Sequence, residues 1–186
     1  MAGDLSAEMK KVFRGILKDI QVDLKEEFDQ NFEREGYFSE AWSRRKSPVH
    51  GGRSGHLLED TGALRGSIRS EIRGDSVFFF SDLPYAGIHN EGGEIVVTAR
   101  MKRFFWGKYR EANGGSWGRR GETASRGTEA EFWKLMALKK VGTAIKIPRR
   151  QFLGGGPEVE KIVTKIVEDG LGDYFEHEFN IEIKSR

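Results

Sequence analysis

Apolar side chains recur every three or four residues along the first part of the chain and predict one long helix over residues 5–34. On such a helix these side chains share one face, and lysines and carboxylates occupy the other. Asp4 or Ser6 is the expected N-cap, because a short oxygen-bearing side chain accepts hydrogen bonds from the free N–H groups there. The pattern ends at Gly36. Such a helix would span about 45 Å, so part of its apolar face is expected to meet another subunit. The apolar positions are Leu5, Met9, Val12, Phe13, Ile16, Leu17, Ile20, Leu24 and Phe28.

A two-residue alternation replaces the helical spacing in the middle of the chain. A Gly-Asp turn separates "SIRSEIR" from "VFFFS", which predicts a β-hairpin. The stretch that follows, "LPYAGIHNEGG", predicts a short helix with Pro84 at its first position and Gly92-Gly93 at its end. Two further strands are predicted in "EIVVTAR" and at the start of "AIKIPRRQFLGGG", where the glycines indicate a sharp reversal.

The remaining segments complete an α+β pattern. Residues 43–62 read as a long loop, residues 101–143 contain two aromatic helical candidates, a final helix begins at Pro157, and "FNIEIK" alternates as a last strand. We therefore expect a small antiparallel β-sheet flanked by a long N-terminal helix and a C-terminal helix. The expected organisation is a single domain over residues 1–186, with an insertion at 101–143.

Composition excludes several classes of site. The 186 residues include thirteen Phe and four Trp, which supply a core, and no cysteine, which excludes disulfides and thiolate chemistry. No run of about 18 apolar residues is present, so no membrane partner is expected. The acidic, polar start is unlike a signal peptide. We expect a soluble protein in a reducing cytoplasm.

Charge is unevenly distributed, although the whole chain carries only +2. Residues 1–42 have 6 basic and 10 acidic groups, a balance of −4, and residues 43–93 have 7 and 6, a balance of +1. Residues 94–156 have 14 and 5, a balance of +9, and residues 157–186 have 4 and 8, a balance of −4. The near-neutral total therefore hides a basic middle between acidic ends.

The adjacent His89, Asn90 and Glu91 are the most conspicuous candidates for catalysis. A zinc site needs three or four converging ligands, but the four histidines lie in unrelated contexts without an HxxxH or HExxH spacing. No GxSxG motif is present, and neither "GGRSG" nor "FLGGG" fits a phosphate-binding loop. We expect no catalytic residue, metal, cofactor or small-molecule substrate. His89 is interpreted as a structural residue, neutral or partly charged by Glu91, and a hydrolase built on it is the distant alternative.

The basic middle mixes cations with aromatic side chains. This composition suits single-stranded nucleic acid, which binds through phosphate contacts and stacking with salt-sensitive affinity. It equally suits a protein interface in which the acidic ends of one subunit meet the basic middle of the next, and we favour the interface. The candidate surface comprises Arg100, Lys102, Arg103, Phe105, Trp106, Arg119 and Arg120.

Four motifs occur in a fixed order and together resemble the phage virion morphogenesis family, also called the tail completion family. They are a Trp-containing segment "EAWSRR", then "LLEDTGALRGSI", then "YAGIHNEGG", and finally "IPRRQFLG". The third and fourth motifs are expected to lie near each other in the fold. The matching positions are Trp42, Leu58, Thr61, Gly62, Leu64, Ser67, Ile68, Tyr85, Ala86, His89, Gly92, Ile147, Pro148, Arg150, Phe152, Leu153 and Gly154.

The resemblance implies a non-enzymatic structural protein of a tailed phage or prophage. Such proteins act at the head-proximal end of the tail, completing it or joining it to the head, and related proteins form rings, commonly hexamers, around the DNA channel. The implied partners are other copies of the chain, tail-tube proteins and head-connector proteins, with DNA only passing through. The implied location is the virion, assembled in the bacterial cytoplasm.

Elementary chemistry suggests roles for several motif residues. Thr61 would cap a turn in which Gly62 takes a backbone angle that other residues resist. Pro148 and the glycines would fix a turn that delivers Phe152 and Leu153 into the core or a neighbour. Arg149 and Arg150 would bind carboxylates through their forked guanidinium groups.

Overall fold

The computed structural model describes residues 2–45, 56–113 and 123–179. These residues form helices and short strands, and the strands pair into three antiparallel two-stranded sheets rather than the one sheet expected. The chain divides into two compact units. Unit 1 comprises Met1–Ala41, Leu64–Leu83 and Phe152–Arg186, and unit 2 comprises Trp42–Ala63 and Pro84–Gln151. The predicted α+β class, with long helices at both ends, is confirmed. The assignment of 1–186 to one domain with an insertion stays a prediction.

Helix α1 of unit 1 runs from Ala2 to Arg34, as the apolar spacing predicts. The expected caps are wrong, because the helix has already begun at Ala2 and both Asp4 and Ser6 lie inside it. The helix ends where Glu35 takes a φ of 50°. At Gly36 a Cβ atom would approach Glu40 O to 2.7 Å. Only glycine therefore permits the tight ribbon that follows, β1 (Gly36–Tyr37) paired with β2 (Glu40–Ala41).

The core of unit 1 is built on one face of α1. Ile16, Ile20, Leu24 and Phe28 recur every four residues and are all buried. The predicted hairpin, β3 (Ile68–Arg73) and β4 (Ser76–Ser81), packs on this face, with Phe79 edge-on to Phe28 at 5.0 Å between ring centroids. A single turn, α2 (Ala63–Gly66), leads into β3.

The second wall of this core is helix α6, Pro157–Phe179. Its apolar positions Val159, Ile162, Val163, Ile166, Val167 and Leu171 pack against the buried face of α1. Gly170 lies directly against α1, since a Cβ atom there would meet Ile16 Cγ1 at 2.7 Å. The absent side chain lets the two helices approach closely.

Unit 2 contains three of the helices and one pair of strands that are far apart in sequence. Helix α3 (Ala86–Glu91) precedes β5 (Gly93–Val96), which pairs antiparallel with β6 (Ala144–Ile147). The ladder continues past β5, because Val97 bonds through its N–H to Thr143 O and through its carbonyl to Gly142 N, both at 2.9 Å. Val97 is completely buried.

Two helices form the connection between β5 and β6. Helix α4 (Ala99–Ala112) begins after Thr98, whose side chain accepts a hydrogen bond from Met101 N, and α5 spans Thr123–Leu138. Both were expected from the aromatic helical pattern. Phe105 stacks on Trp133 at 6.0 Å, with ring planes 26° apart. The segment predicted to be an insertion is therefore a helix pair closed over aromatic side chains.

Several element boundaries differ from expectation. Pro84 lies in a turn two residues before α3, and Tyr85 is the residue that immediately precedes the helix. The strand expected in "EIVVTAR" stops at Val96, because Thr98 caps α4. Most of the predicted strand "FNIEIK" and the centre of the predicted loop at 43–62 lie outside the described residues.

Candidate functional site

The last motif places a run of main-chain atoms at the centre of unit 2. Arg150 N donates to His89 O at 2.8 Å, and Gln151 O accepts from Trp42 Nε1 at 2.7 Å. The strand register pairs Gly93 with Ile147. The predicted proximity of "YAGIHNEGG" and "IPRRQFLG" is confirmed. We call residues 147–151, with the residues that they bind, the hub.

Arg150 supplies the hub with a buried cation. Its Nε and Nη2 atoms both donate to Ser43 O, at 3.1 and 3.0 Å, and the residue is 9% exposed. A guanidinium presents two parallel N–H groups, so a single carbonyl can receive both. The carbonyl of Ser43 is therefore one acceptor of this guanidinium, and the expected carboxylate partner stays a prediction. Arg149, by contrast, donates to Gln151 Oε1 at the surface.

Gly92 is the tightest position of the hub. Its φ of 74° and ψ of −179° lie in a region that is essentially restricted to glycine. A Cβ atom there would stand 2.7 Å from Arg149 N and 3.1 Å from Ile147 O. The glycine therefore serves two purposes at once, ending α3 and letting β6 approach the backbone.

His89 lies against this backbone, because its carbonyl accepts from Arg150 N. Its ring is edge-on to Tyr85 at 6.1 Å between centroids. Burial, helped by the positive charge of Arg150, lowers the pKa of His89 below its usual 6.5 and so favours the neutral imidazole. Of the two charge states expected for His89, this shift favours the neutral one over partial charging by Glu91. Nδ1 is buried and meets no hydrogen-bond partner among the described residues.

The second motif forms a turn and a strand start. Thr61 Oγ1 accepts from Ala63 N at 3.4 Å, and Gly62 has a φ of 73°, so both proposed roles are confirmed. Leu64 is 4% exposed, and its carbonyl accepts from Ser67 Oγ at 2.7 Å. The same hydroxyl lies 2.7 Å from Ser81 Oγ across the β3–β4 pair, which explains a serine at the matching position.

The end of the last motif belongs to unit 1 and is held by side chains. Phe152 is 1% exposed and packs on Phe32 at 5.2 Å between centroids. Leu153 packs against the α1 core. Tyr37 donates its hydroxyl proton to Gly154 O at 2.6 Å. Delivery of Phe152 and Leu153 into a core, one of the two predicted destinations, is confirmed.

Comparison with known proteins gives one match. The model of the phage virion morphogenesis family matches residues 1–172 of the 186. The chain belongs to the phage virion morphogenesis family. No curated protein and no solved structure gives a match.

The basic aromatic segment of this morphogenesis-family chain is only partly internal. Phe105 is buried between α4 and α5, whereas Trp106 is 36% exposed. Arg100 and Arg103 point to solvent, and Lys102 is half-buried. Arg119 and Arg120 lie outside the described residues. Phe105 is therefore a packing residue, and the role of the exposed members as a contact surface stays a prediction.

Among the side chains that the structure describes, no three His, Cys, Asp or Glu residues lie close enough together to hold a metal ion. In the described part of the chain, no helix is both long and apolar enough to cross a bilayer.

Two polar contacts in unit 1 were missed by sequence reasoning. Asn31 is fully buried; its Nδ2 donates to Phe152 O at 3.3 Å, and its Oδ1 accepts from Phe38 N at 2.9 Å. Arg65 donates to both carboxylate oxygens of Asp29 and to Glu33. These hydrogen bonds lower the pKa of Asp29 below 3.8, even though partial burial opposes the shift.

The sequence did contain a signal for the role of Asn31, because Asn31 lies three residues after Phe28 on the apolar face of α1. An amide at a core-facing position of an apolar stripe must satisfy its polar atoms inside the protein.

Proposed function

We propose that this protein is a non-enzymatic structural component of a tailed phage or prophage. In this role it completes the tail or joins the tail to the head, and it works as an oligomeric ring, by expectation a hexamer. Its partners would be further copies of itself, tail-tube proteins and head-connector proteins, with DNA passing through the channel. Its place would be the head–tail junction or the adjoining end of the tail.

The family match over residues 1–172 is the observation that carries this proposal. The motif positions support a structural rather than a catalytic role, because they bind other parts of the same chain. Trp42 and Arg150 bind main-chain carbonyls, Gly92 permits a close backbone approach, and Phe152 fills a core. Burial lowers the pKa of His89, and its ring lies edge-on to that of Tyr85.

Deleting the gene from the phage or prophage that carries it tests the role in assembly. We expect filled heads and separate tails, or tails of aberrant length, in electron micrographs of the lysate, and a loss of infectious particles. Supplying the protein from a plasmid should restore both. Normal numbers of infectious virions from the deletion would overturn the proposal.

The same complementation assay separates a structural from a catalytic His89. His89→Gln keeps a neutral, hydrogen-bonding side chain, so we expect full complementation. A variant that folds and assembles into particles but leaves them non-infectious would instead point to chemistry at His89.

Light scattering and negative-stain microscopy of the purified protein, alone and on isolated tails, test the ring. Rings in either preparation support it. A monomer in both would overturn the ring while leaving the assembly role to the deletion experiment.

A further inference from the structure

The two units carry opposite charge. Unit 1 contains 13 basic and 21 acidic residues, a balance of −8, whereas unit 2 contains 18 and 8, a balance of +10. Each copy therefore offers one surface region of each sign while its total stays at +2. Opposite regions on identical molecules attract, and the small total adds little repulsion as copies accumulate.

Three of the basic residues of unit 2 lie on one exposed face of α4. Arg103, Trp106 and Arg110 are spaced i, i+3 and i+7, which places them within an arc of about 60° on a helix. All three are exposed, Arg100 extends the same face, and Arg110 Nε donates to Trp106 O at 3.4 Å. We call these four residues the basic stripe.

The basic stripe has no counter-charge on its own helix. The single acidic residue of α4, Glu111, accepts from Lys108 Nζ at 2.7 Å. Arg100, Arg103 and Arg110 form no ion pair with any described residue. A stripe of unpaired guanidinium groups around an exposed tryptophan has the composition of an interface hot spot.

A complementary stripe lies on α1 of unit 1. Asp19, Asp23 and Glu26 are exposed, fall within an arc of about 60°, and form no ion pair with a described residue. Val22 lies beside them and is 55% exposed. Lys18 and Lys25 lie about 110–130° around the helix from the centre of this arc. We call Asp19, Val22, Asp23 and Glu26 the acidic stripe.

The two stripes match in length as well as in sign. Asp19 and Glu26 are seven residues apart, as are Arg103 and Arg110, so each pair of charges spans about 10.5 Å. Each stripe also carries one exposed apolar side chain, Val22 or Trp106.

We propose that the basic stripe of one copy docks on the acidic stripe of a second copy. The inference rests on the self-association of the proposed function and names the surfaces that would make it. Because the two stripes are different surfaces, the contact is heterologous, and each copy keeps one stripe free for the next neighbour. Such contacts generate rings when the rotation between copies closes.

Double charge reversal of either stripe tests the contact. Arg103→Glu with Arg110→Glu, or Asp19→Lys with Glu26→Lys, places like charges opposite each other. We expect either pair to weaken self-association of the full chain by about tenfold or more in low salt, measured by analytical ultracentrifugation. Raising the salt concentration should weaken self-association of the unchanged protein and so reduce the difference in affinity between it and the variants.

Mixing the two charge-reversal variants tests whether the two stripes contact each other. The glutamates of the first variant would face the lysines of the second, and each would keep one original stripe for the other, so association should return towards that of the unchanged protein. A fold defect in either variant could not be rescued in this way. The matched controls, Lys134→Glu with Lys140→Glu and Glu168→Lys with Asp173→Lys, change the same charge at exposed positions outside the stripes and should have much smaller effects.

The outcomes separate this proposal from the ring itself. If the unchanged protein associates and neither reversal weakens it, or if mixing does not restore association, the stripe contact is wrong and the ring stands. If the unchanged protein is monomeric in solution and on tails, the ring is wrong as well. If the arginine reversal abolishes binding of short DNA but leaves self-association unchanged, the basic stripe is a nucleic-acid surface and the proposal is overturned.

Discussion

Two parts of one eight-residue motif are held by different forces. In unit 2, residues 147–151 are bound through main-chain atoms to His89, Trp42 and the neighbouring strand. In unit 1, Phe152 is held by burial against Phe32 and α1. The hub therefore depends on backbone conformation and close approach, whereas the core depends on the volume and apolar area of its side chains.

This difference decides which substitutions each part tolerates. A core position accepts another apolar side chain of similar volume at modest cost. A hub position that brings two backbones together accepts no side chain at all, whatever its polarity. Four measurements test the distinction.

Truncation of Phe152 to alanine should be the most damaging change. It removes a fully buried ring and leaves a cavity beside Phe32, so we expect a loss of about 3–5 kcal/mol in the free energy of unfolding. Urea denaturation followed by circular dichroism measures it. Phe175→Ala, at a side chain that is 46% exposed, is the control and should cost far less. Equal losses would show that Phe152 contributes little beyond surface area.

Gly92→Ala should cost about 2–4 kcal/mol, from backbone strain and the overlap with Arg149 N. Gly142→Ala is the matched control, because Gly142 also has a positive φ, 93°, but has open space around its Cα. It should show the strain alone, and the difference between the two variants reports the close approach in the hub. If the two changes cost the same, the backbone approach carries no energy.

Gly170→Ala tests a close approach in the core of unit 1, where the atoms opposite the glycine belong to a side chain. The added methyl would meet Ile16 Cγ1 at 2.7 Å, so we expect a loss of about 1–3 kcal/mol. Gly172→Ala, two residues along the same helix with open space, should be neutral or stabilising by about 0.5–1 kcal/mol.

Adding Ile16→Ala to Gly170→Ala should recover part of the overlap cost, so that the double variant loses less than the sum of the two single changes. Alanine lacks both Cγ1 and Cδ1, the atoms that the new methyl group would meet. Such recovery is not available to Gly92→Ala, whose neighbour is main chain. If the double variant recovered none of this cost, so that the two losses simply added, the loss in Gly170→Ala would not come from the overlap with Ile16.

Acidification should act on the two regions at different pH values and with the smallest effects. The folded pKa of His89 is lowered, so the unfolded chain binds a proton first and stability falls as pH drops below about 6.5. The pKa of Asp29 is also lowered, so its contribution is present above 3.8 and is lost as pH falls below that value.

Unfolding free energies measured across pH separate these contributions. His89→Gln should flatten the slope just below 6.5 and leave the slope below 3.8 unchanged, whereas Asp29→Asn should do the reverse. If His89→Gln changed the slope below pH 3.8 instead, or Asp29→Asn changed the slope just below pH 6.5, the assignment of these groups to those pH ranges would be wrong.

The sequence predicts the elements of unit 1 well because their signal is apolar periodicity. The stripe of α1, the alternation around Gly74 and the stripe of α6 each place side chains on one face, and the structure buries those faces together. The start of α1 was misplaced because several polar residues near a helix terminus can serve as its cap.

The sequence predicted that the third and fourth motifs lie close together, but it did not predict the hydrogen bonds that join residues in the hub. Every residue has a main-chain carbonyl, and every residue except proline has a main-chain N–H. No sequence pattern therefore identifies Ser43 O as the acceptor for Arg150, or His89 O as the acceptor for Arg150 N. The charge of Arg150 suggested a carboxylate, whereas nothing in the sequence pointed to the carbonyl of Ser43 as an acceptor. Family resemblance supplied these positions where periodicity could not.

The helix pair that joins β5 to β6 has a practical consequence. The strands that flank it are hydrogen-bonded neighbours up to Val97 and Gly142, and antiparallel neighbours need no more than a short turn to connect them. Residues 98–141 can therefore be regarded as a detachable cassette. An affinity tag, a fluorescent protein or another helix pair grafted between Val97 and Gly142 would begin and end at one fixed point on the β5–β6 pair. Such a graft would also replace the basic stripe on α4 and so remove the proposed contact between copies.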